Sequence, residues 1–186
     1  MSFAELHERV IQPGLCARCG ICAGVCPVLV IGFNERNFPV LCGDCTDCGL
    51  CTRCCPGAEV ALPHLVRRLF AAEYDPENLQ GHVDGMFVAH STVDRIRDSA
   101  TSGGVVTGLL VHLLQQGEID GAVVVAPDPE QPYRFRGVLA ATAGEILDGA
   151  QSKYCLTPSM AALNVIRKRK GRFAVVGLPC QVQGLR

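Results

Sequence analysis

Residues 16–27 read C-A-R-C-G-I-C-A-G-V-C-P and residues 45–56 read C-T-D-C-G-L-C-T-R-C-C-P. Both follow one pattern, C-x2-C-x2-C-x3-C-P, and ten of the chain's twelve cysteines lie between Cys16 and Cys55. Cysteines three apart on a tight loop can aim three thiolates at three corners of one small body. The longer step and the proline turn the chain away, so the fourth thiolate of each run points elsewhere. Gly20 and Gly49 stand inside the loops, where backbone has to pass close to whatever the thiolates hold.

Such a run is the ligand pattern of two-cluster bacterial ferredoxins, in which three cysteines hold one [4Fe–4S] cluster and the fourth serves the other. One cluster is therefore expected on Cys16, Cys19, Cys22 and Cys55, and the other on Cys45, Cys48, Cys51 and Cys26. The second run has a competing register, because Cys42, Cys45, Cys48, Cys51 and Cys54 repeat every third residue. Started at Cys42, the pattern would need its fourth ligand at Thr52, which cannot serve. Started at Cys45, it reaches Cys55 directly before Pro56, and Cys42 and Cys54 are left as bystanders. A disulfide framework would need an oxidising compartment. A zinc site prefers two cysteine pairs separated by a longer stretch.

The chain has 186 residues, enough for a medium domain and a small module. The formal net charge is -1, which argues against a nucleic-acid partner. Hydrophobic residues make up 48% of the chain, enough to fill a core. The first nine residues, M-S-F-A-E-L-H-E-R, carry charges and no apolar run, unlike a signal peptide. No apolar stretch is long enough to span a bilayer as a helix. Many cysteines without a secretion signal point to a cytoplasmic protein whose thiolates are kept for metal.

Residues 3–11 are expected to form a short helix. The stretch from Val28 to Leu41 reads as a hairpin covering the clusters. Leu62–Phe70 reads as a helix, and Asp75-Pro76-Glu77-Asn78 as a linker. Beyond it strand and helix alternate. Met86–Ala89 is expected as a strand, Gly103–Gln116 as a helix closed by Gly117, and Ala122–Ala126 as a buried strand ended by Pro127. Tyr133–Ala140 follows as a strand and Thr142–Leu147 as a helix. Thr157 is expected to cap a helix that begins at Pro158 and stops before Gly171. Phe173–Val176 is the next strand. The fold class is thus α+β, with a ferredoxin-type module over 1–60, a linker over 61–80 and an incomplete α/β flavin-binding domain over 81–186.

Three places in the second part could carry chemistry. Ser99-Ala100-Thr101-Ser102-Gly103-Gly104 precedes a helix. It is either a cap and turn, with Thr101 or Ser102 as the cap, or an anion site on free N–H groups. Lys153, in Gln151-Ser152-Lys153-Tyr154, is either a solvated surface lysine or a partner for phosphate or a reduced flavin. Cys180, in Gly177-Leu178-Pro179-Cys180-Gln181, is open to three readings: nucleophile, metal ligand or apolar thiol. Cys155 reads as buried and inert. The basic run Arg167–Lys170 suits a helix C-terminus. No acid–base dyad or nucleophile pair stands out, so the catalytic residues stay unknown.

In order along the chain, the segments Ser102–Leu110, Ile119–Val124, Ser152–Tyr154 and Gly177–Gln181 resemble the coenzyme F420 hydrogenase/dehydrogenase beta-subunit family. Gly149-Ala150-Gln151-Ser152-Lys153-Tyr154 varies slightly on that family's usual Gly-Ser/Thr-Lys-Tyr run. The resemblance implies an iron–sulfur flavoprotein with FAD near Ser102, Gly103, Gly104, Val105, Thr107, Lys153 and Tyr154. It also implies that Cys180 ligates a further [4Fe–4S] cluster, with partner cysteines in a C-terminal part beyond Arg186. The chain is accordingly expected to be the N-terminal fragment of a longer oxidoreductase, itself not fully active. Coenzyme F420 or a similar hydride carrier is the implied substrate. Ferredoxin or a hydrogenase, formate dehydrogenase or reductase subunit is the implied partner. The rival readings are an electron-carrier module without flavin chemistry and a zinc-stabilised interaction protein.

Overall fold

The computed structural model describes residues 2–186. The fold is α+β. Its first third is built on the cysteine loops. Helix α1 (Phe3–Leu6) is capped by Ser2, whose Oγ accepts from Glu5 N–H, and continues as a π-helical turn over His7–Ile11. Phe3, Leu6 and Val10 fall on one face and are buried against Cys22, Ala23, Cys26, Ile31 and Cys51. Each cysteine loop ends in a short helix, α2 (Ile21–Val25) and α3 (Leu50–Arg53). Their N-caps, Gly20 and Gly49, both take positive φ, +84° and +72°. Only glycine adopts that conformation without strain, so each run has its glycine where the loop turns into helix. Between the runs, β1 (Ile31–Phe33) and β2 (Pro39–Leu41) form the expected antiparallel hairpin.

The second part follows the sequence pattern in most places. Helix α4 (Leu62–Phe70) buries none of its residues. After the short α5 (Asp94–Asp98), α6 (Val105–Gln115) ends ahead of Gly117, which has φ +67°. Strand β3 (Gly121–Asp128) lies at the centre of a three-stranded sheet, antiparallel to β4 (Gln131–Ala140) and parallel to β5 (Phe173–Val175). Helix α7 (Ala143–Asp148) opens on a capping box between Thr142 and Glu145. Helices α6 and α7 cover the sheet, with Leu110, Val111, Ala122, Val124, Ala140 and Ile146 forming the core. No helix among the described residues is long and apolar enough to cross a membrane.

Four expectations differ from what the fold shows. Met86–Ala89 is no strand: it pairs with nothing in the sheet, and Phe87 and Val88 are fully exposed at 91% and 107%. A strand exists only through a partner, which an apolar run alone cannot supply. Pro127 does not end β3. Strand β5 pairs only with residues 121–123, so the missing N–H of Pro127 falls beyond that ladder. Thr157 caps no helix. A 3-10 turn over Ser159–Ala162 leads into a four-residue α8 (Leu163–Ile166), which stops well before Gly171. Met160 N–H is taken by the Cys19 carbonyl at 2.9 Å, which ties the segment to the cysteine loop instead. Finally, α6 is capped by Gly104 at φ +72°, not by Thr101 or Ser102.

The same segment packs against the sheet. A Cβ at Gly137 of β4 would lie 2.0 Å from the Ser159 carbonyl oxygen, whereas one at Gly144 in α7 would meet nothing nearer than 3.9 Å. Gly137→Ala should therefore destabilise the fold by about 1–3 kcal/mol through overpacking. Gly144→Ala should be neutral or stabilise by about 0.4–1 kcal/mol. Chemical denaturation of both variants checks this contrast.

Candidate functional site

The first cysteine loop meets the end of the second run. Cys16, Cys19 and Cys22 of the first run and Cys55 of the second line one narrow apolar cavity, together with Leu6 and Val10. The space left among them is about 20 Å³, measured to the centre of a water-sized body. Cys19, Cys22 and Cys55 all have their thiol pKa raised, first by burial. The charge of neighbouring cysteines adds to it: Cys16 and Cys55 act on Cys19 and Cys22, and Cys16 on Cys55. N–H groups of Ile21, Ala23, Gly57 and Ala58 oppose the rise. Arg18 lines this cavity too, and its Nε is buried without a hydrogen-bond partner. Its Nη1 donates to the Arg36 carbonyl, and its guanidinium sits 4.8 Å from the Phe38 ring centre.

Cys45, Cys48 and Cys51 form a second neighbourhood. Burial raises the Cys51 thiol, and Cys45 and Cys48 add to the rise. Cys26 is buried in the apolar cluster that also holds Cys51, with Cys45 packed on it. Cys48 is exposed and Cys45 half-buried. Of the two left as bystanders, Cys42 is exposed and Cys54 half-buried, its thiol also raised by burial. None of the twelve cysteines is in a disulfide. Among the described residues no three His, Cys, Asp or Glu side chains gather as a single metal ion would require.

A larger, open cavity of about 690 Å³ lies at the start of α6. It brings together Ser102, Gly103, Gly104, Val105, Thr107, Lys153 and Tyr154, which come from two segments some fifty residues apart. Thr101 Oγ1 accepts from Ser152 N–H at 3.2 Å and joins those segments. The glycines have local reasons of their own. A Cβ at Gly103 would lie 2.4 Å from the Ala89 carbonyl oxygen, and Gly104 needs its positive φ. The case for a ligand therefore lies in the cavity and in the N–H groups of Val105–Thr107, at a helix start that no side chain caps. Lys153 is not a free surface lysine. Its Nζ donates to the Ala150 carbonyl and lies 5.6 Å from the Phe135 ring centre, and burial lowers its pKa. Tyr154 stands exposed at the rim.

Cys155 is exposed rather than buried, because the loop around it is irregular and lines the cavity; its Sγ is 3.4 Å from Thr157 Oγ1. Cys180 is half-buried in the first turn of α9 (Pro179–Leu185), near enough to Cys19 to raise that thiol. The basic run stands at the C-terminus of α8 as expected, with Arg167 as its C-cap, although the helix is shorter than expected. The Arg167 side chain also donates to the Val25 carbonyl at the end of α2, 2.7 Å away. Two cavity residues have no role in the sequence reading, Ser159 and Gln181. Both are buried, and Gln181 Nε2 donates to Ser159 Oγ at 3.3 Å. Gln181 had a signal, since a glutamine at the third position of a helix can reach back to its N-cap, here Leu178 N–H. Ser159 had none.

The arrangement is that of an α+β protein with a thiol-lined cavity and, separately lined, a ligand-sized cavity. Residues 86–164 match the family described as coenzyme F420 hydrogenase/dehydrogenase, beta subunit N-term. The chain belongs to the coenzyme F420 hydrogenase/dehydrogenase beta-subunit family. It is 33% identical to the coenzyme F420-dependent sulfite reductase of Methanocaldococcus jannaschii, over 98% of this chain and 26% of the relative. It is 30% identical to a subunit of the F(420)H(2) dehydrogenase of Methanosarcina mazei, over 96% of this chain and 49% of the relative. It is 36% identical to the beta subunit of the coenzyme F420 hydrogenase of Methanothermobacter thermautotrophicus, over 53% of this chain and 35% of the relative. The chain thus spans less than half the length of each of these relatives.

Thiol exposure predicts an order of reactivity. In metal-free protein under native conditions, Cys42, Cys48 and Cys155 should alkylate fast. Cys19, Cys22 and Cys51 should alkylate slowly, because they are buried and their thiolates are disfavoured. Timed alkylation with peptide mass spectrometry reads that order.

Proposed function

We propose that the chain is the electron-transferring and flavin-binding part of an oxidoreductase that exchanges hydride with coenzyme F420 or a similar deazaflavin. The observation that carries this reading is the ring of Cys16, Cys19, Cys22 and Cys55, which draws its fourth thiol from the other run. That crossing is the ligand exchange of a two-cluster protein. The donor set fits a [4Fe–4S] cluster: four thiols, three of them hard to ionise while unligated, and an arginine Nε–H without a partner. Hydrogen bonds to cluster sulfurs are a known means of setting potential. Cys26, Cys45, Cys48 and Cys51 would hold the second cluster. In a cube each cysteine takes its own iron, so the thiols need only surround the space.

FAD would occupy the open cavity. Its volume falls in the range of cofactor sites. The N–H groups of Val105–Thr107 would face a pyrophosphate. Ser102, Gly103 and Gly104 would form the turn beneath it, and Lys153 would offset negative charge, which favours the protonated lysine that burial now disfavours. Tyr154 would cover the mouth. Bound flavin supplies the conversion between hydride and single electrons. Cys180, beside Cys19, would ligate a further cluster. In these terms residues 1–60 are a two-cluster ferredoxin-type module, 61–80 a linker, and 81–186 the first part of the flavin-binding domain. The names of the relatives support F420 as the hydride carrier. A ferredoxin or a hydrogenase, formate dehydrogenase or reductase subunit would take the electrons, in the cytoplasm.

Purified without oxygen, the protein should be brown, release FAD on denaturation, and have its flavin absorbance bleached by reduced F420. Colour without flavin would replace this reading with that of an electron carrier. Zinc without iron would end both.

A further inference from the structure

The two cysteine runs repeat their pattern but not their charge. Aligned on their cysteines, they place Arg18 of C-A-R-C opposite Asp47 of C-T-D-C. Both residues take positive φ, +53° and +50°. The repeat thus keeps its backbone at this position, while one copy carries a cation and the other an anion. Aspartate is among the residues that adopt positive φ readily, and arginine is not, so Arg18 has no local reason to stand there. The hairpin holds the far end of its side chain. Nη1 donates to the Arg36 carbonyl at 3.3 Å, and the guanidinium sits 4.8 Å from the Phe38 ring centre. Asn34 Oδ1 shapes that turn by accepting from Arg36 N–H and Phe38 N–H, each at 3.0 Å. Arg18 Nε is left over. The residue lines the thiol cavity, and this nitrogen is buried with no acceptor among the protein atoms. A buried donor without a partner is costly, so the acceptor is an occupant of the cavity. Asp47, in contrast, is exposed, and its N–H donates to Cys45 Sγ at 3.4 Å.

We propose that Arg18 and Asp47 set the reduction potentials of the two thiol groups in opposite directions. Arg18 donates its Nε–H to a sulfur of the cluster on Cys16, Cys19, Cys22 and Cys55 and raises that potential. Asp47 lowers the potential of the cluster on Cys26, Cys45, Cys48 and Cys51. This rests on the cluster reading above. Reduction by an external one-electron donor adds one electron, and so one negative charge, to a cluster. No bond forms or breaks, and the guanidinium keeps its proton. A charge-assisted hydrogen bond from a cation favours the added charge, and a neighbouring anion opposes it. Because Asp47 is exposed, water and salt screen it, and its effect is the smaller of the two.

The intact protein, purified anaerobically and titrated with dithionite, tests this by paramagnetic resonance. Cys55→Ser identifies the first cluster as the one whose signal it abolishes. Arg18→Met keeps the length of the side chain and removes both charge and donor. It should retain its iron, and at a fixed potential the reduced-to-oxidised ratio of the first cluster should fall about tenfold, a shift of about 59 mV for a one-electron couple. Asp47→Asn suits the same backbone. It should leave the first cluster unmoved and raise the second by less than that, and high salt should erase the difference. Solvent at Cys48 is common to all these proteins, so the shifts are read rather than the absolute order. Should Arg18→Met lose iron, Arg18→Lys keeps the charge without the Nε–H and should show a smaller fall. An unmoved first cluster in the iron-replete Arg18 variant, an equal shift of both clusters, or an unmoved second cluster in Asp47→Asn at low salt would overturn the proposal alone. Loss of iron from both Arg18 variants would also overturn it, by making the arginine a structural support. Absence of iron from the wild-type protein would overturn the cluster reading, and this proposal with it.

Discussion

The segment Pro158–Leu163 has no spare room on either side. Gly20 and Gly24 press on it from the cysteine loop, and Gly137 presses on Ser159 from the sheet. A Cβ at any of the three would fall within 2.5 Å of a backbone oxygen. Glycine is therefore required at these places by contact with backbone, which cannot rotate away as a side chain can. The segment in turn gives the Met160 N–H to the Cys19 carbonyl, and it forms only a 3-10 turn and one turn of helix. Met160, Leu163 and Ile21 complete the contact as a small apolar core of their own. The placement of the thiols relative to the open cavity depends on this contact, reinforced by Gly184 of α9 against the Cys54 carbonyl and by Arg167 on the Val25 carbonyl.

The cysteine runs were legible because their pattern is local. Cysteine spacing, the glycine at the loop end and the closing proline all lie within twelve residues, and each loop turns into helix at its glycine. The hairpin, α4, α6, β4 and α7 were legible for the same reason, since each has its own period, cap or turn. The gathering of Ser102–Thr107 with Lys153 and Tyr154 was expected from a family likeness rather than from spacing.

What escaped the sequence was set at a distance. Met86–Ala89 has the composition of a strand, but only a partner makes a strand, and the sheet offers it none. Thr157-Pro158 looks like a helix start, yet Cys19 takes the Met160 N–H that a Thr157 cap would have accepted. Cys155 was expected inside from its residue type, and the loop carries it to the surface. Gly103 suggested a ligand, but the Ala89 carbonyl already accounts for it. Ser159 gave no local sign, because its place at the cavity comes from packing against Gly137 and Gln181.

The central claim is that the two runs exchange their fourth thiols, with Cys55 closing the ring of the first. Iron and acid-labile sulfide analysis of anaerobically purified protein tests it most directly. Crossed ligation predicts about eight irons and eight sulfides per chain. It further predicts no loss in the Cys42→Ser, Cys54→Ser double variant and a loss of about half in Cys55→Ser, where one cluster is removed. Unchanged iron in Cys55→Ser together with a loss in the double variant would contradict it.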